Sequence, residues 1–476
     1  MSDAILWTAT EAARATGGET PAEWDCTSIA SDSRKVEPGA LFVALKGPNH
    51  DAHDYVVQAF ERGAAAALVA RRPEGVAAGA PLLVVDDVLA ALGRLAQAAR
   101  ARTAARVIAV TGSVGKTGTK ETLRLALSEQ GATFVSPASY NNAWGVPLSL
   151  AALPRDAMYA VFEIGMNHPG EIAPLARLVR PDVGVVTVIE AVHLAFFDSL
   201  AAIADAKAEL FEGMDADGVA VLNHDDRFYK RLAAAARARG MRRILAFGRD
   251  PGAEVRLVEA TSDAESSAVT AAVEGETIRY TVGAPGRHWV DTSLAALAAV
   301  RGVGADVGRA AARLAEARPL PGRGARHRVS LDGDAFTLID ESYNANPASM
   351  RAAIANLGAT PPGPGGRRIA VLGDMLELGG AAPALHAALA DPLAEADVDL
   401  VFTAGTHMAR LRRALPAARR AGHAERSTDL IGPVVAALRA GDVVMVKGSL
   451  GSRMAPVVEA LRARNAARRP RAAGNG

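Results

Sequence analysis

The chain has 476 residues, with 53 Lys and Arg against 52 Asp and Glu and a formal net charge of +1. Its length suggests about three domains, large enough to bury cores without disulfide or metal staples. The charge balance argues against a protein held broadly on nucleic acid by counterion release. The one cysteine, Cys26, excludes an internal disulfide and a Cys-rich zinc site. Met1–Thr10 lacks the basic start and apolar stretch of a secretory signal. The longest uncharged run, 131–154, is broken by Asn, Ser and Pro, so it reads as a loop with flanking elements and not as a membrane span. These features predict a cytoplasmic enzyme with no stable membrane insertion.

In chain order, LFVAL at 41–45, AALVA at 66–70 and Leu82–Val85 read as buried strands, with a helix at 55–62 closed by Gly63. An Ala-rich helical stretch, 88–106, leads out of this first domain, 1–85. From Val107 strands alternate with helices, the signature of a parallel α/β sheet. Strands are expected at 107–110, 159–164, 183–189, 219–222 and 244–247, and helices at 120–130 and 171–179. Alternation of apolar and polar side chains over 253–282 predicts an antiparallel hairpin region, followed by a helix at 293–301. PLPGRG at 319–324 is the best linker candidate, which bounds a central domain at 86–318. The α/β rhythm then restarts in a C-terminal domain, 319–476, with strands at 336–340, 369–372, 400–403 and 443–446. Residues 464–476 read as a basic tail.

The strongest motif is VIAVTGSVGKTGT at 107–119. A strand enters Thr111, Gly112, Ser113, Val114, Gly115, Lys116 and Thr117, and a helix follows. Such a loop turns backbone N–H groups onto phosphate oxygens, with the Lys on the terminal phosphates and the Thr hydroxyl on Mg²⁺. Val110 stands where the strict pattern has its first Gly, so this is a shortened variant. Glu163 ends a buried strand where a further magnesium ligand belongs. His193 follows another buried strand and by itself reads as a surface or packed histidine rather than as a ligand. Lys207, in IADAKAEL, reads by charge spacing as a solvated helix lysine. The run DESYNANP at 340–347 fits a ribose or peptide site, or an Asx-turn and helix N-cap. Arg323 in the linker would matter if domain closure carried it onto a phosphate.

Taken together these motifs resemble the Mur ligase family, over nearly the whole chain. SDSR at 31–34 with PGALFVALKG is similar to its amino-terminal signature, and TGSVGKT to its phosphate loop. NNAWGVPL at 141–148, EIGMNHPGEI at 163–172, DESYNANP, GDMLELG at 373–379 with His386, and VKGS at 446–449 complete the match. The resemblance implies an α/β fold of three domains: a UDP-substrate-binding first domain, a central P-loop-type parallel-sheet ATPase domain and a Rossmann-like C-terminal domain. It implies ATP and two Mg²⁺ ions as cofactors. The implied ATP-binding residues are Thr111 to Gly118, Asn142, Asp340 and Asn344. The implied metal ligands are Thr117, Glu163, His193 and Lys207, the last as a carbamate, and Lys116 and Arg323 act as cations in catalysis. Ser33 and Arg34 belong to the UDP-substrate site.

Within the family, YNANP and GDMLELG, and the absence of a DNPR motif, resemble the members that join D-alanyl-D-alanine to UDP-N-acetylmuramoyl-tripeptide. The expectation is a monomeric cytoplasmic ligase acting through an acyl phosphate, with no nucleic-acid partner. A diaminopimelate- or lysine-adding ligase, a folylpolyglutamate synthetase-like enzyme, and a P-loop ATPase switch are the alternatives. Gly118 stands where the family has Thr, Glu341 where it has Asp, and Trp289 and Thr292 where it has Asn.

Overall fold

The computed structural model describes residues 4–464 apart from 49, 138, 139, 193, 264, 332 and 333. Three main sheets follow one another along the chain. The first is a parallel four-stranded sheet in the order Ser28–Ala30, Ala40–Val43, Ala66–Val69, Leu82–Val84. A two-stranded ribbon, Trp7–Thr8 with Asp25–Cys26, flanks it.

The helix Val88–Arg102 starts on Asp87, whose carboxylate accepts from Ala90 N at 2.7 Å. Its Leu92, Leu95, Ala96 and Ala99 share one apolar core with Leu41 and Leu68 of the first sheet and with Leu150 of the central unit. Trp7 seals the junction. Its indole N–H donates to Ala151 O at 2.9 Å, and the Arg102 guanidinium lies 3.5 Å from its ring. The first unit is therefore packed against the central one by this helix.

Among the described residues the central sheet has nine strands. Arg243–Gly248, Val219–Asn223, Val183–Val186, Arg106–Thr111, Tyr159–Glu163 and Thr133–Val135 lie side by side and parallel. In the strand Arg106–Thr111, Val107 and Ala109 face one apolar core and Ile108 and Val110 the other, so the sheet is covered on both faces. The expected hairpin region is a three-stranded antiparallel meander, Val255–Ser262, Ser267–Val273 and Glu276–Val282. It joins this sheet through a short parallel pairing of Val255 with Phe247.

The third sheet runs Ala325–Leu331, Asp334–Glu341, Val443–Lys447, Arg368–Gly373, Leu400–Ala404, Arg420–Ala424, antiparallel only at its first pair.

Several expectations need correction. The helix expected at 120–130 is Lys116–Leu127. It begins on the P-loop lysine because Gly115, at φ +89, turns the chain without a side-chain cap. The run 131–154 is, as expected, a loop with flanking elements, the strand Thr133–Val135 and the helix Gly145–Ala151. The helix expected at 293–301 spans Arg287–Gly302. Trp289 is buried in the core beneath that helix.

Candidate functional site

Three neighbouring parallel strands set the site: Val183–Val186, Arg106–Thr111 and Tyr159–Glu163. Their carboxyl ends carry Thr187, the phosphate loop and Glu163. The chain fills the sheet on both sides of the strand Arg106–Thr111, the arrangement in which open α/β sheets bind ligands.

The loop is rigid. Gly112 has φ +142, and a Cβ there would come within 1.9 Å of Thr187 Oγ1. Thr187 Oγ1 donates to Val114 O at 2.6 Å. Ser113 N donates to Val188 O at 2.8 Å, and Ser113 Oγ both accepts from Glu190 N and donates to Glu190 O. The loop is thus fastened to the next strand's exit. Lys116 Nζ donates to Gly112 O at 2.7 Å. Burial holds the Lys116 ammonium below its usual pKa; Arg323 pushes the same way, and Glu163 opposes. Gly118 faces Thr292, whose Cγ2 would lie 3.8 Å from a Cβ at 118.

Glu163 is 2% exposed and accepts two hydrogen bonds, from Thr117 Oγ1 at 2.8 Å and Asn141 Nδ2 at 2.7 Å. Asn141 O also accepts from Gly165 N at 2.7 Å. The neighbouring Asn142 turns its side chain to Gly145 N at 2.9 Å, at the start of the next helix. Asn141, not singled out from the sequence, is the asparagine that touches Glu163. Two adjacent identical side chains gave no local signal to separate them.

Lys207 lies in the last turn of the helix Leu200–Ala208 and is 1% exposed. Among the described residues it has no hydrogen-bond partner. Burial, with Lys116 adding to it, pushes its pKa well below that of an ordinary lysine. Charge spacing read it as solvated; the structure buries it. His193 lies outside the described residues. Among the described residues no cluster of three His, Cys, Asp or Glu side chains is arranged for a metal ion. The donor set Thr117 and Glu163, with the buried amine of Lys207, nevertheless suits magnesium if that amine becomes a carboxylate-like group.

The C-terminal motifs gather at the carboxyl ends of adjacent strands. Asp340 is buried and accepts from Ser342 Oγ at 2.6 Å, Ser342 N at 3.1 Å and Gly322 N at 2.9 Å. The linker is therefore folded onto this turn, and Arg323 stacks 4.2 Å over the Tyr343 ring. Asn346 caps the helix Pro347–Ala359 through a capping box with Ser349. Asn344 Oδ1 stays local, accepting from Ala345 N. Lys447 Nζ donates to Glu341 at 3.1 Å and to Asn344 O at 2.9 Å.

His386 is buried. Its Nε2 accepts from Met375 N at 2.9 Å and its Nδ1–H donates to Ala382 O at 2.6 Å, which fixes the loop after Gly373. That loop reaches the central unit, where Ala195 N donates to Glu377 O at 3.2 Å.

In the first unit, Ser33 is buried and donates to Gln58 Oε1 at 2.6 Å. Arg34 is largely exposed and paired with Asp32, whose carboxyl it holds down at about 2.

A phosphate loop at the switch point of a parallel sheet, flanked by two further α/β units, defines a nucleotide-dependent enzyme assembled from three units. Family models agree: the Mur ligase family catalytic domain matches residues 25–100, the Mur ligase middle domain 110–300, and the Mur ligase glutamate ligase domain 326–450. The chain is 36% identical to the UDP-N-acetylmuramoyl-tripeptide–D-alanyl-D-alanine ligase of Escherichia coli, over 91% of this chain and 93% of that one. It is 33% identical to the ligase of the same name from Bacillus subtilis, over 91% and 92%. MurF from Acinetobacter baumannii superposes with a TM-score of 0.82 at 30% identity, covering 96% and 98%. MurF ligase from Thermotoga maritima, in complex with ADP, gives 0.75 at 25% identity, covering 93% and 98%. A folylpolyglutamate synthase from Mycobacterium tuberculosis gives 0.62 at 17% identity, which shows a shared fold alone. The chain belongs to the Mur ligase family and, as a member, is an ATP-dependent ligase.

Proposed function

We propose that the protein joins D-alanyl-D-alanine to UDP-N-acetylmuramoyl-tripeptide at the expense of ATP, in cytoplasmic peptidoglycan precursor synthesis. The Thr117–Glu163 contact beneath the phosphate loop carries the ATP half of this reading. The full-length likeness to ligases of that name supports the choice of substrates.

In the reaction, the tripeptide carboxylate attacks the γ-phosphorus of ATP, giving an acyl phosphate and ADP. The dipeptide amine then attacks the acyl carbon and phosphate leaves. Two anions meet in the first step, so cations must face them. Lys116 leaves Gly112 O for the phosphates, and Arg323 adds its charge from the linker. Asn141 and Thr117 orient Glu163. Magnesium, held by Thr117, Glu163, His193 and Lys207, would supply charge neutralisation between the phosphates and the attacking carboxylate. The Lys207 amine, whose burial favours the neutral form, adds to CO₂ with loss of a proton to form the carbamate, and its burial keeps water away. Ser33 and Arg34 meet the UDP moiety, and Asp340 and Asn344 meet the nucleotide from the C-terminal unit. The boundaries of the three units fall near residues 85 and 318. The protein is taken to act as a monomer.

The test is phosphate release from ATP with UDP-N-acetylmuramoyl-tripeptide and one amine at a time. D-alanyl-D-alanine should stimulate it, whereas diaminopimelate, lysine and glutamate should not. Release indifferent to the amine would favour an ATPase switch and overturn the proposal.

A further inference from the structure

The loop Met166–Ile172 belongs to the EIGMNHPGEI motif but has no part in the scheme above. It continues the chain from Glu163 and enters the helix Ile172–Val179. Glu171, at the start of that helix, makes no capping hydrogen bond; its carboxylate turns back to Asn167 N at 2.7 Å and His168 Nδ1 at 2.9 Å. The helix start is capped instead from a distant element. Glu209 accepts from Gly170 N at 2.7 Å through Oε1, and from Ile172 N and Ala173 N at 3.1 Å each through Oε2. One carboxylate thus takes three N–H groups at the positive end of the helix.

Glu209 begins the turn Glu209–Gly213, directly after the helix that carries Lys207. The same turn packs so closely on the helix Ile172–Val179 that a Cβ on Gly213 would lie 2.1 Å from Ala176 O. The loop's other side is held too: the His168 ring packs 4.5 Å from that of Phe196, three residues after His193. The segments bearing Glu163, His193 and Lys207 therefore meet at this loop, and Glu209 ties it to the Lys207 helix.

We propose that Glu209 is a positioning residue that locks the Met166–Ile172 loop to the Lys207 helix and so fixes Lys207 relative to Glu163, two of the residues that would hold magnesium. The inference rests on the metal reading given above. It predicts that loss of the clamp loosens the metal site before it unfolds the protein.

Glu209→Ala, Glu209→Gln and Glu212→Ala test it in the full-length protein. Glu212 sits on the same turn but pairs outward, with Arg177 and with Arg239 at 2.7 Å, so it controls for a general loss of packing. Three quantities are read: melting temperature, Mg²⁺ affinity by calorimetry in the presence of ADP, and the carbamate resonance after addition of ¹³C-bicarbonate. Glu209→Ala should bind Mg²⁺ at least tenfold more weakly and lose most of the carbamate signal while still melting cooperatively. Glu209→Gln, which keeps one acceptor oxygen, should fall between. Glu212→Ala should match wild type in both metal and carbamate readouts. Unchanged Mg²⁺ affinity and carbamate in Glu209→Ala would overturn the proposal, as would an equal loss in Glu212→Ala. A wild-type protein with neither signal would overturn the metal reading, and this proposal with it.

Discussion

Glu163→Gln separates the structural work of this residue from its chemical work. The carboxylate accepts two hydrogen bonds, from Thr117 and Asn141. Glutamine keeps the shape. Thr117 can still donate to its oxygen, and a flip of the Asn141 amide presents an oxygen to its new N–H₂ group. Two charge-assisted hydrogen bonds become two neutral ones, a loss of about 2 kcal/mol in total. The functional loss is larger. A unit negative charge facing a cation at ~4 Å, with an effective dielectric of ~20, is worth about 4 kcal/mol. That corresponds to roughly a thousandfold in kcat/KM. The assay is D-alanyl-D-alanine-dependent phosphate release, with a thermal scan on the same preparation. The expected result is a protein melting within a few degrees of wild type with about a thousandth of its kcat/KM. A folded Glu163→Gln enzyme that keeps more than about a tenth of wild-type activity would refute the assignment. So would an activity loss that merely tracks the unfolded fraction.

Three further outcomes follow from the same geometry. Lys207→Ala should abolish ligation, with short carboxylates such as formate or acetate restoring part of it; full activity without additives would remove the carbamate. Gly112→Ala should lose ADP binding by calorimetry, because the new Cβ lands on Thr187 Oγ1 and the backbone is at φ +142; wild-type affinity would mean that the loop is not held as described. His386 makes the protein acid-sensitive. Burial, helped by His407 and opposed by the Ala382 hydrogen bond and Asp374, puts its folded pKa below its unfolded value of about 6.5. The unfolded state then takes the proton more readily, so stability is full above about pH 6.5 and falls as pH drops through the folded pKa. Melting temperature should fall less between pH 7.5 and pH 5 in His386→Gln than in wild type, and equal slopes would sink this account.

The phosphate loop was legible because strand, glycines, lysine and helix are consecutive, and short-range rules suffice for them. Its helix start was misplaced because Gly115 acts by backbone conformation, and no Ser, Thr, Asp or Asn cap marks the position. PLPGRG reads as a free linker, yet Gly322 N and Gly324 N are both bonded to Asp340, which no local pattern announces. The strand Ala325–Leu331 was missed because its sequence, ARHRVSL, is an edge strand whose outward residues are basic. The Glu209 clamp is bonded to a helix start 36 residues away in sequence, beyond any window that periodicity can scan.

Lys207 shows the same limit in energetic form, and it changes the meaning of the charge balance. The chain buries other lysines, each with a partner. Lys120 donates to Ser136 O at 2.7 Å, and Lys447 bonds Glu341 and Asn344. These compensated cations cost little beyond their own desolvation. Lys207 is equally enclosed, lies near Lys116, and has no hydrogen-bond partner among the described residues; the Glu209 carboxylate opposes burial and Lys116 but does not outweigh them. A hydrophobic side chain of that length would be cheaper. The burial becomes sensible if the amine exists to be converted: an uncharged lysine is the form that adds CO₂, and a carbamate there would have a metal ion to hold. On that reading the formal net charge moves from +1 to about −1 once the lysine carries its carbamate. The positive charge that composition counted at this position is then a ligand for positive charge.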